Sequence, residues 1–318
     1  MRSIGGYFEL ELAHGQSYHP NAIALNTGRN CLEYVLRTRH YRHVYVPYYT
    51  CEVILEPMQK LGVTWSFYGI DRNLELADDI RLQPDEALLA TNYYGLKQAH
   101  MQALASRYGH RLIVDNTQAF YAPRIEGIDT FYTCRKFFGV ADGAYLYCDQ
   151  PLGMELEQDH SWDRMDYLLQ RIDLSPQAGY AGFREQSGRL VGQPIKRMSA
   201  LTERIMASID YDHAARCRRD NYGVLDAALR SHNQIDVPLD AEAVPMVYPY
   251  LSNDTHLRQR LIDNKIYVAQ YWPNVLQWAS SDSIEQHITT RLVPLPIDQR
   301  YGSDEMTQII RTIKSLPA

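Results

Sequence analysis

The chain has 318 residues, 45% hydrophobic and 22% charged, a composition that suits a globular protein with one large core and a smaller one. Its formal net charge of -6 gives no general attraction for nucleic acid or an anionic membrane surface, so a small-molecule partner is expected. No run of about 18 apolar residues occurs and "MRSIGGYFELELAHGQSYHP" lacks the pattern of a signal peptide, which points to a cytoplasmic protein with no membrane contact.

The first element follows "IALNTGRN", where Leu32, Val35 and Leu36 fall on one helical face, so a Gly-bearing loop feeds a helix N-terminus. "HVYVPYY" is rich in β-formers, and "CEVILEPMQKLG" reads as a helix stopped by Gly62, with Pro57 kinking it or sitting in its first turn. "TWSFYGI" and "ALLATN" read as strands, "QAHMQALASRYG" as a helix ending at Gly109, and "RLIVD" as a strand ending on a carboxylate. This alternation predicts right-handed βαβ crossovers and a largely parallel sheet covered on both faces. "FYTCRKFFGVADGAYLYCD" reads as a hairpin turning at Asp142-Gly143, which makes the sheet mixed.

From Ser199, an expected N-cap, to about His232 the sequence is helix-compatible, as one helix or as two broken near Ser208. "VPMVYPYLS", "KIYVAQYW" and "RLVPLPI" then read as strands separated by helices, the last helix being "SDEMTQIIRTIKSL" with Ser303 as N-cap. The expected architecture is therefore α/β: a mixed, mostly parallel sheet with helices on both faces, plus a small C-terminal α+β domain. Residues 1–205 are expected to form the large domain, and 206–318 a linker helix and the small one. The five cysteines, Cys31, Cys51, Cys134, Cys148 and Cys217, have no C-x-x-C spacing, so buried thiols are expected and no metal site. The 24 tyrosines suit both ordinary cores and half-apolar pockets for a polar ligand.

Three features fall at strand ends or a helix start, where open α/β sheets bind ligands. Asp115 ends "RLIVD"; it is either a turn or helix cap, or the partner of a heterocyclic nitrogen that stays protonated. "NTGRN" precedes a helix, where free N–H groups and the dipole attract an anion and Gly28 permits close approach, but the spacing matches neither G-x-G-x-x-G nor a P-loop. Arg135-Lys136 is either a solvated surface pair or, beside Phe137 and Phe138, a partly desolvated one. Desolvation lowers a lysine's pKa, which suits a Schiff-base nucleophile. An imine-forming lysine, an aspartate for a pyridinium and a helix start for a phosphate are the fixtures that pyridoxal 5'-phosphate (PLP) requires.

"ALNTGRNCLEYVL", "VYVPYYTCEVILEPMQKLGVTWSFYGID", "LLATNYYGLKQAHMQALASRYGHRLIVDNTQAF" and "TCRKFFGVADGAYLY" together resemble the DegT/StrS-type sugar aminotransferases, a branch of the fold-type I PLP-dependent enzymes. The resemblance runs from about Ala24 to Tyr147, and more loosely through "RRDNY", "QYWPNV" and "VPLPIDQRYGSDEM". It implies a large PLP-binding domain in which Lys136 bears the internal aldimine, Asp115 pairs with the pyridine nitrogen and Gln118 lies near the ring and its 3'-oxygen. Gly28 and Arg29 take the place of the phosphate loop, and Thr133 matches the serine of the family's "SFRK" form.

Cys51 lies where many members carry an aromatic residue on the ring, with Tyr49 and Gln118 as alternative stackers. "GQPIKRMS" is the nearest counterpart of the segment that reaches a neighbouring active site, with Lys196 and Arg197 as its cations. A homodimer is implied. Asn92, Tyr93, Tyr94, Trp272, Arg300 and Tyr301 are candidates for a sugar pocket, with Tyr48 and Tyr7 behind them; all are equally suited to structural roles. The implied activity moves an amino group from glutamate to a keto sugar, by analogy one carried on a nucleotide. Lys136 argues against a dehydratase, which often has His there. A non-sugar aminotransferase or a non-catalytic regulatory relative of the same fold stays open.

Overall fold

The computed structural model describes residues 4–315. Its first part contains β1 (Ile23–Leu25), α1 (Gly28–Arg39), β2 (His43–Pro47), α2 (Glu56–Leu61), β3 (Thr64–Tyr68), β4 (Glu86–Thr91), α3 (Gln98–Tyr108), β5 (Leu112–Asp115), β6 (Asp129–Thr133) and β7 (Ala144–Tyr147). The seven strands form one sheet in the order β1-β7-β6-β5-β4-β2-β3. Every pairing from β3 to β6 is parallel, and β7 runs antiparallel to both β6 and β1.

Alternation along the strands divides the core between two faces. Leu88, Ala90, Leu112, Val114, Tyr132 and Tyr145 point to one side; Ala87, Leu89, Ile113, Phe131, Ala144 and Leu146 point to the other, where they meet Leu32, Val35 and Leu36 of α1. The start of α1 is fixed by Thr27, whose hydroxyl accepts the Asn30 N–H at 3.2 Å. Pro57 sits in the first turn of α2, where a missing N–H costs nothing, and Gly62 ends that helix in the left-handed region at φ 68°.

The remainder comprises α4 (Asp166–Asp173), α5 (Pro176–Arg189), α6 (Ala200–Ala207), α7 (Tyr211–Leu229), β8 (Tyr248–Leu251), α8 (Leu257–Asp263), α9 (Val275–Trp278), α10 (Ile284–Arg291), β9 (Leu292–Leu295) and α11 (Ser303–Lys314). β8 and β9 form a separate antiparallel pair. Ser199 caps α6 by accepting the Thr202 N–H, and the helical run breaks at Ser208, the second of the two forms the sequence allows. The 205/206 boundary falls inside α6, whose Met206 is buried in the core that also holds Tyr248, Leu295 and Met306. No helix among the described residues is long and apolar enough to cross a membrane.

Several elements differ from the sequence reading. "KIYVAQYW" forms no strand: Lys265 is at φ 62°, outside the extended region, and the chain runs irregularly to Trp272. Asp142-Gly143 is not a two-residue hairpin turn, since residues 134–143 separate β6 from β7. Gly143 does have positive φ (102°), but its N–H donates to Asn26 O at 2.7 Å, tying the entry of β7 to the loop before α1. The cap of α11 is Gly302, whose N–H donates to Glu305, and Ser303 is the first helical residue.

The hairpin of α4 and α5 was not read at all, because Gly179, Gly182 and Gly188 resemble breakers. Instead, Gly179 lets the helices touch: a Cβ there would lie 2.6 Å from Tyr167 O.

Arg164, just before α4, anchors this region to the loop between β6 and β7. It bonds Asp142 at 2.6 Å and Asp159 at 2.8 Å, with all three side chains at or below 10% exposure. Removing one partner of a buried ion pair leaves the other charges uncompensated. Arg164→Ala is therefore expected to lose about 3–5 kcal/mol of stability, measured by urea unfolding. An unchanged urea midpoint would show that the cluster does not anchor the loop.

Candidate active site

The carboxyl ends of β4, β5 and β6 lie side by side, with Thr91 in register with Asp115 and Asp115 with Phe131. Beyond them, the N-terminus of α1, the loop between β6 and β7, the segment after β2 and Trp272 enclose a cavity of about 190 Å³. Lys136, Asp115, Gly28, Arg29, Gln118, Thr133, Cys51 and Trp272 all line it. Residues separated by more than a hundred positions thus meet where the alternation of strands and helices places the loops.

Asp115 is buried, and its Oδ1 accepts the Thr117 N–H at 2.8 Å. The Asx turn that the sequence allowed is present, and the carboxylate also borders the cavity. Lys136 Nζ donates to Thr117 Oγ1 at 2.9 Å, so Thr117 holds both ionisable groups. Lys136 is surrounded by protein, yet its side chain faces the cavity and stays solvent-accessible.

Burial pushes the Lys136 pKa below the usual lysine value; Asp115 and Cys51 push it back up, and Arg135 adds to the depression. Burial raises the Asp115 pKa, opposed by Lys136 and by the bonds from Thr117.

The rest of the lining offers donors with no partner inside the protein. Gln118 Oε1 accepts the Tyr94 N–H at 2.9 Å, which leaves its Nε2 buried and unpaired; Thr91 Oγ1 is buried and unpaired as well. Gly28 begins α1, which has no acidic residue in its first turn to occupy the positive end of the helix dipole. A Cβ at Gly28 would lie 3.4 Å from Thr117 Cγ2, so glycine keeps the backbone open to the cavity. Amine, carboxylate, unpaired amide donor and helix start together fit a flat, phosphorylated nitrogen heterocycle carrying an aldehyde.

Five expected substrate residues lie outside this cavity. Asn92 is fully buried, and its side chain bonds Gln98 and accepts the Lys97 N–H, securing the turn after β4. Tyr94 is fully buried with its hydroxyl on Tyr49, and its part in the site is to hold Gln118 by its backbone. Arg300 pairs with Asp298 at 2.6 Å and lies over the Tyr301 ring, so both face away. Tyr93 donates to Tyr49 O and is core.

Tyr49 supports Trp272 edge-on from behind at 4.9 Å and does not reach the cavity. Lys196 pairs with Glu157, Arg197 bridges Leu25, Tyr48 stacks on Phe67, and Tyr7 is exposed. The sequence reading missed Thr91 and Thr117; the position of Thr117 between Asp115 and Gln118 was the available signal. Asp129, Cys148 and Asp149 cluster elsewhere, but Arg39 already bonds both carboxylates.

The sequence matches no protein-family model. No curated protein matches it either. Solved structures do match in fold. DesV of S. venezuelae, in complex with a ketimine intermediate, superposes at TM-score 0.65 with 17% identity, over 92% of this chain and 84% of that one. Spr1654 of Streptococcus pneumoniae in its PLP form gives TM-score 0.65 with 13% identity, over 93% and 86%. The sugar aminotransferase CalS13 of Micromonospora echinospora gives 0.63 with 17% identity, over 93% and 87%. The chain thus has the fold-type I architecture that these proteins share.

The negative charge of Asp115 favours the Lys136 ammonium, so its removal lowers the lysine pKa further. Asp115→Asn is expected to move the pH midpoint of Lys136 reactivity downward, read by trinitrophenylation and peptide mass analysis of the unliganded protein. A midpoint that stays or rises would separate the two groups electrostatically.

Proposed function

We propose that the chain is a PLP-dependent aminotransferase that moves an amino group from glutamate to a keto sugar, carried on a nucleotide. The observation that carries the reading is that the Lys136 amine and the Asp115 carboxylate face one cavity whose wall includes the start of α1. The fold shared with DesV, Spr1654 and CalS13 supports it, as does the family that the sequence resembles.

When bound, PLP supplies an aldehyde carbon and an electron-accepting ring. Lys136 would be the residue that holds the aldehyde, and its amine, facing the cavity, would be the group placed to take up and return a proton at the amino donor's α-carbon. Asp115 keeps the ring nitrogen protonated through a charge-assisted bond. Gln118 Nε2 is the donor for the ring oxygen, and Thr133 with the first N–H groups of α1 receives the phosphate. Trp272, Cys51, Val53 and Ile54 form the apolar wall that limits water around the reacting atoms. Cys51 lines the cavity, and would offer a thiol where many members of the family that the sequence resembles carry an aromatic residue.

A second copy of the chain is the expected protein partner. Outside the cavity, the region around α4 and α5 exposes Trp162, Leu169, Ile172, Leu174 and Val191, an apolar surface that association would cover.

Purified protein loaded with PLP and glutamate is expected to form 2-oxoglutarate, and a panel of nucleotide-linked keto sugars is expected to include one that restores the aldehyde spectrum. Lys136→Ala should lower turnover by about 10²–10⁴-fold. Binding of PLP by the wild-type protein without oxoglutarate formation from any donor and ketone pair would overturn the aminotransferase reading. Ile172→Glu should shift sedimentation from dimer to monomer; a wild-type protein that sediments only as monomer with full activity would remove the dimer.

A further inference from the structure

Two arginines border the cavity, and their surroundings differ. Arg29 is committed: its Nη1 bonds Glu56 at 2.5 Å, and the other oxygen of Glu56 accepts the Gly192 N–H at 2.8 Å. Arg135 makes no ion pair among the described residues. Its Nη2 donates to the neutral hydroxyl of Ser187 at 2.9 Å, and its Nε is buried with no acceptor. A guanidinium with a buried, unused donor costs free energy unless an acceptor arrives, and an anion satisfies it best.

The position of Arg135 indicates which anion. Thr133 and Arg135 are two residues apart in a chain leaving a strand, and both line the cavity together with Asn26, Thr27 and Gly28 at the start of α1. That helix start offers N–H groups and a partial positive charge but no full charge, while a phosphate brings close to two negative ones. With Arg29 neutralised by Glu56, Arg135 is the cation left on that side of the cavity. Phe183 lies against the guanidinium at 5.8 Å and Ser187 holds its other edge, so α5 fixes the orientation of the fork.

We propose that Arg135 is the cationic ligand of the cofactor's phosphate, supplied by the same chain that carries Lys136. The inference rests on the PLP reading above and adds to it the residue that neutralises the phosphate. It also gives the Arg-Lys pair two distinct tasks: one cation is the attachment point, the other the anchor.

The test compares PLP with pyridoxal, which has the same aldehyde and ring but no phosphate. Equilibrium titration of wild-type protein, Arg135→Gln and Arg135→Lys with each compound is followed by absorbance of the lysine-bound aldehyde. Arg135→Gln should weaken PLP binding on the order of 10- to 100-fold while changing pyridoxal affinity by less than about twofold, and Arg135→Lys should lie between wild type and Arg135→Gln for PLP.

Unchanged PLP affinity in Arg135→Gln overturns the proposal, and an accompanying rise in KM for glutamate would reassign the guanidinium to a substrate carboxylate. Equal weakening of both compounds overturns it too, since that places the effect on Lys136 rather than on phosphate. If wild-type protein binds neither compound, the cofactor reading itself falls, an outcome distinct from a wild type and variant that bind PLP alike. Thermal melting of each variant verifies the fold, and if Arg135→Gln does not fold, the ratio of PLP to pyridoxal affinity in Arg135→Lys decides the question.

Discussion

The site is organised by the confinement of one amine and one carboxylate at the ends of neighbouring strands. Lys136 and Asp115 each lose hydration in the fold, which disfavours their charged forms, and each partly restores the other's charge. Withdrawing the Asp115 carboxylate from water costs several kcal/mol unless partners compensate, whereas Lys136 keeps access to solvent through the cavity. The fold compensates through Thr117, which accepts from the lysine with its hydroxyl and donates to the aspartate with its backbone. The same confinement that costs stability gives an amine that is more readily neutral than ordinary lysine, and therefore more nucleophilic.

The carboxylate of this pair is positioned by the sheet. Parallel pairing of β4, β5 and β6 fixes Asp115 beside Thr91 and Phe131, and the strand faces alternate so strictly that each end is locked between two packed layers. The loop carrying Lys136 needs further restraint, because it spans residues 134–143. The N–H of Gly143 on Asn26 O ties it to the α1 entrance, and Arg164 on Asp142 ties it to the start of α4. Amine, carboxylate and helix start are thus held by three separate attachments around one cavity.

Much of this was legible in the sequence because it is local. A strand ending on Asp115, a glycine opening a helix and a lysine flanked by phenylalanines each leave a short pattern. Their order along the chain carried the resemblance. The sheet core followed from apolar runs bounded by turns, whereas the break at Ser208 was one of two forms the sequence allowed, and the fold selects it.

What the sequence concealed depends on contacts between distant segments. "KIYVAQYW" has strand composition, yet Lys265 enters it at φ 62° and the segment joins neither strand of the β8–β9 pair. Arg300 and Tyr301 have suitable chemistry, but Arg300 pairs with Asp298 and neither lines the cavity, which only the fold reveals. The glycines of α5 resemble helix breakers until Tyr167 is seen packed against one of them. Arg135 looked like half of a solvated pair until its orphaned Nε and the commitment of Arg29 to Glu56 set it apart.

The central claim is that Lys136 is the amine that holds the cofactor, with Asp115 behind the ring. Reduction of the PLP-loaded protein with borohydride, followed by proteolysis and mass analysis, converts that attachment into a stable mark on one peptide. The account predicts a single stoichiometric pyridoxyl adduct on Lys136. An adduct at Lys97, Lys196 or another lysine, or none at all under conditions where the protein is folded, would contradict it.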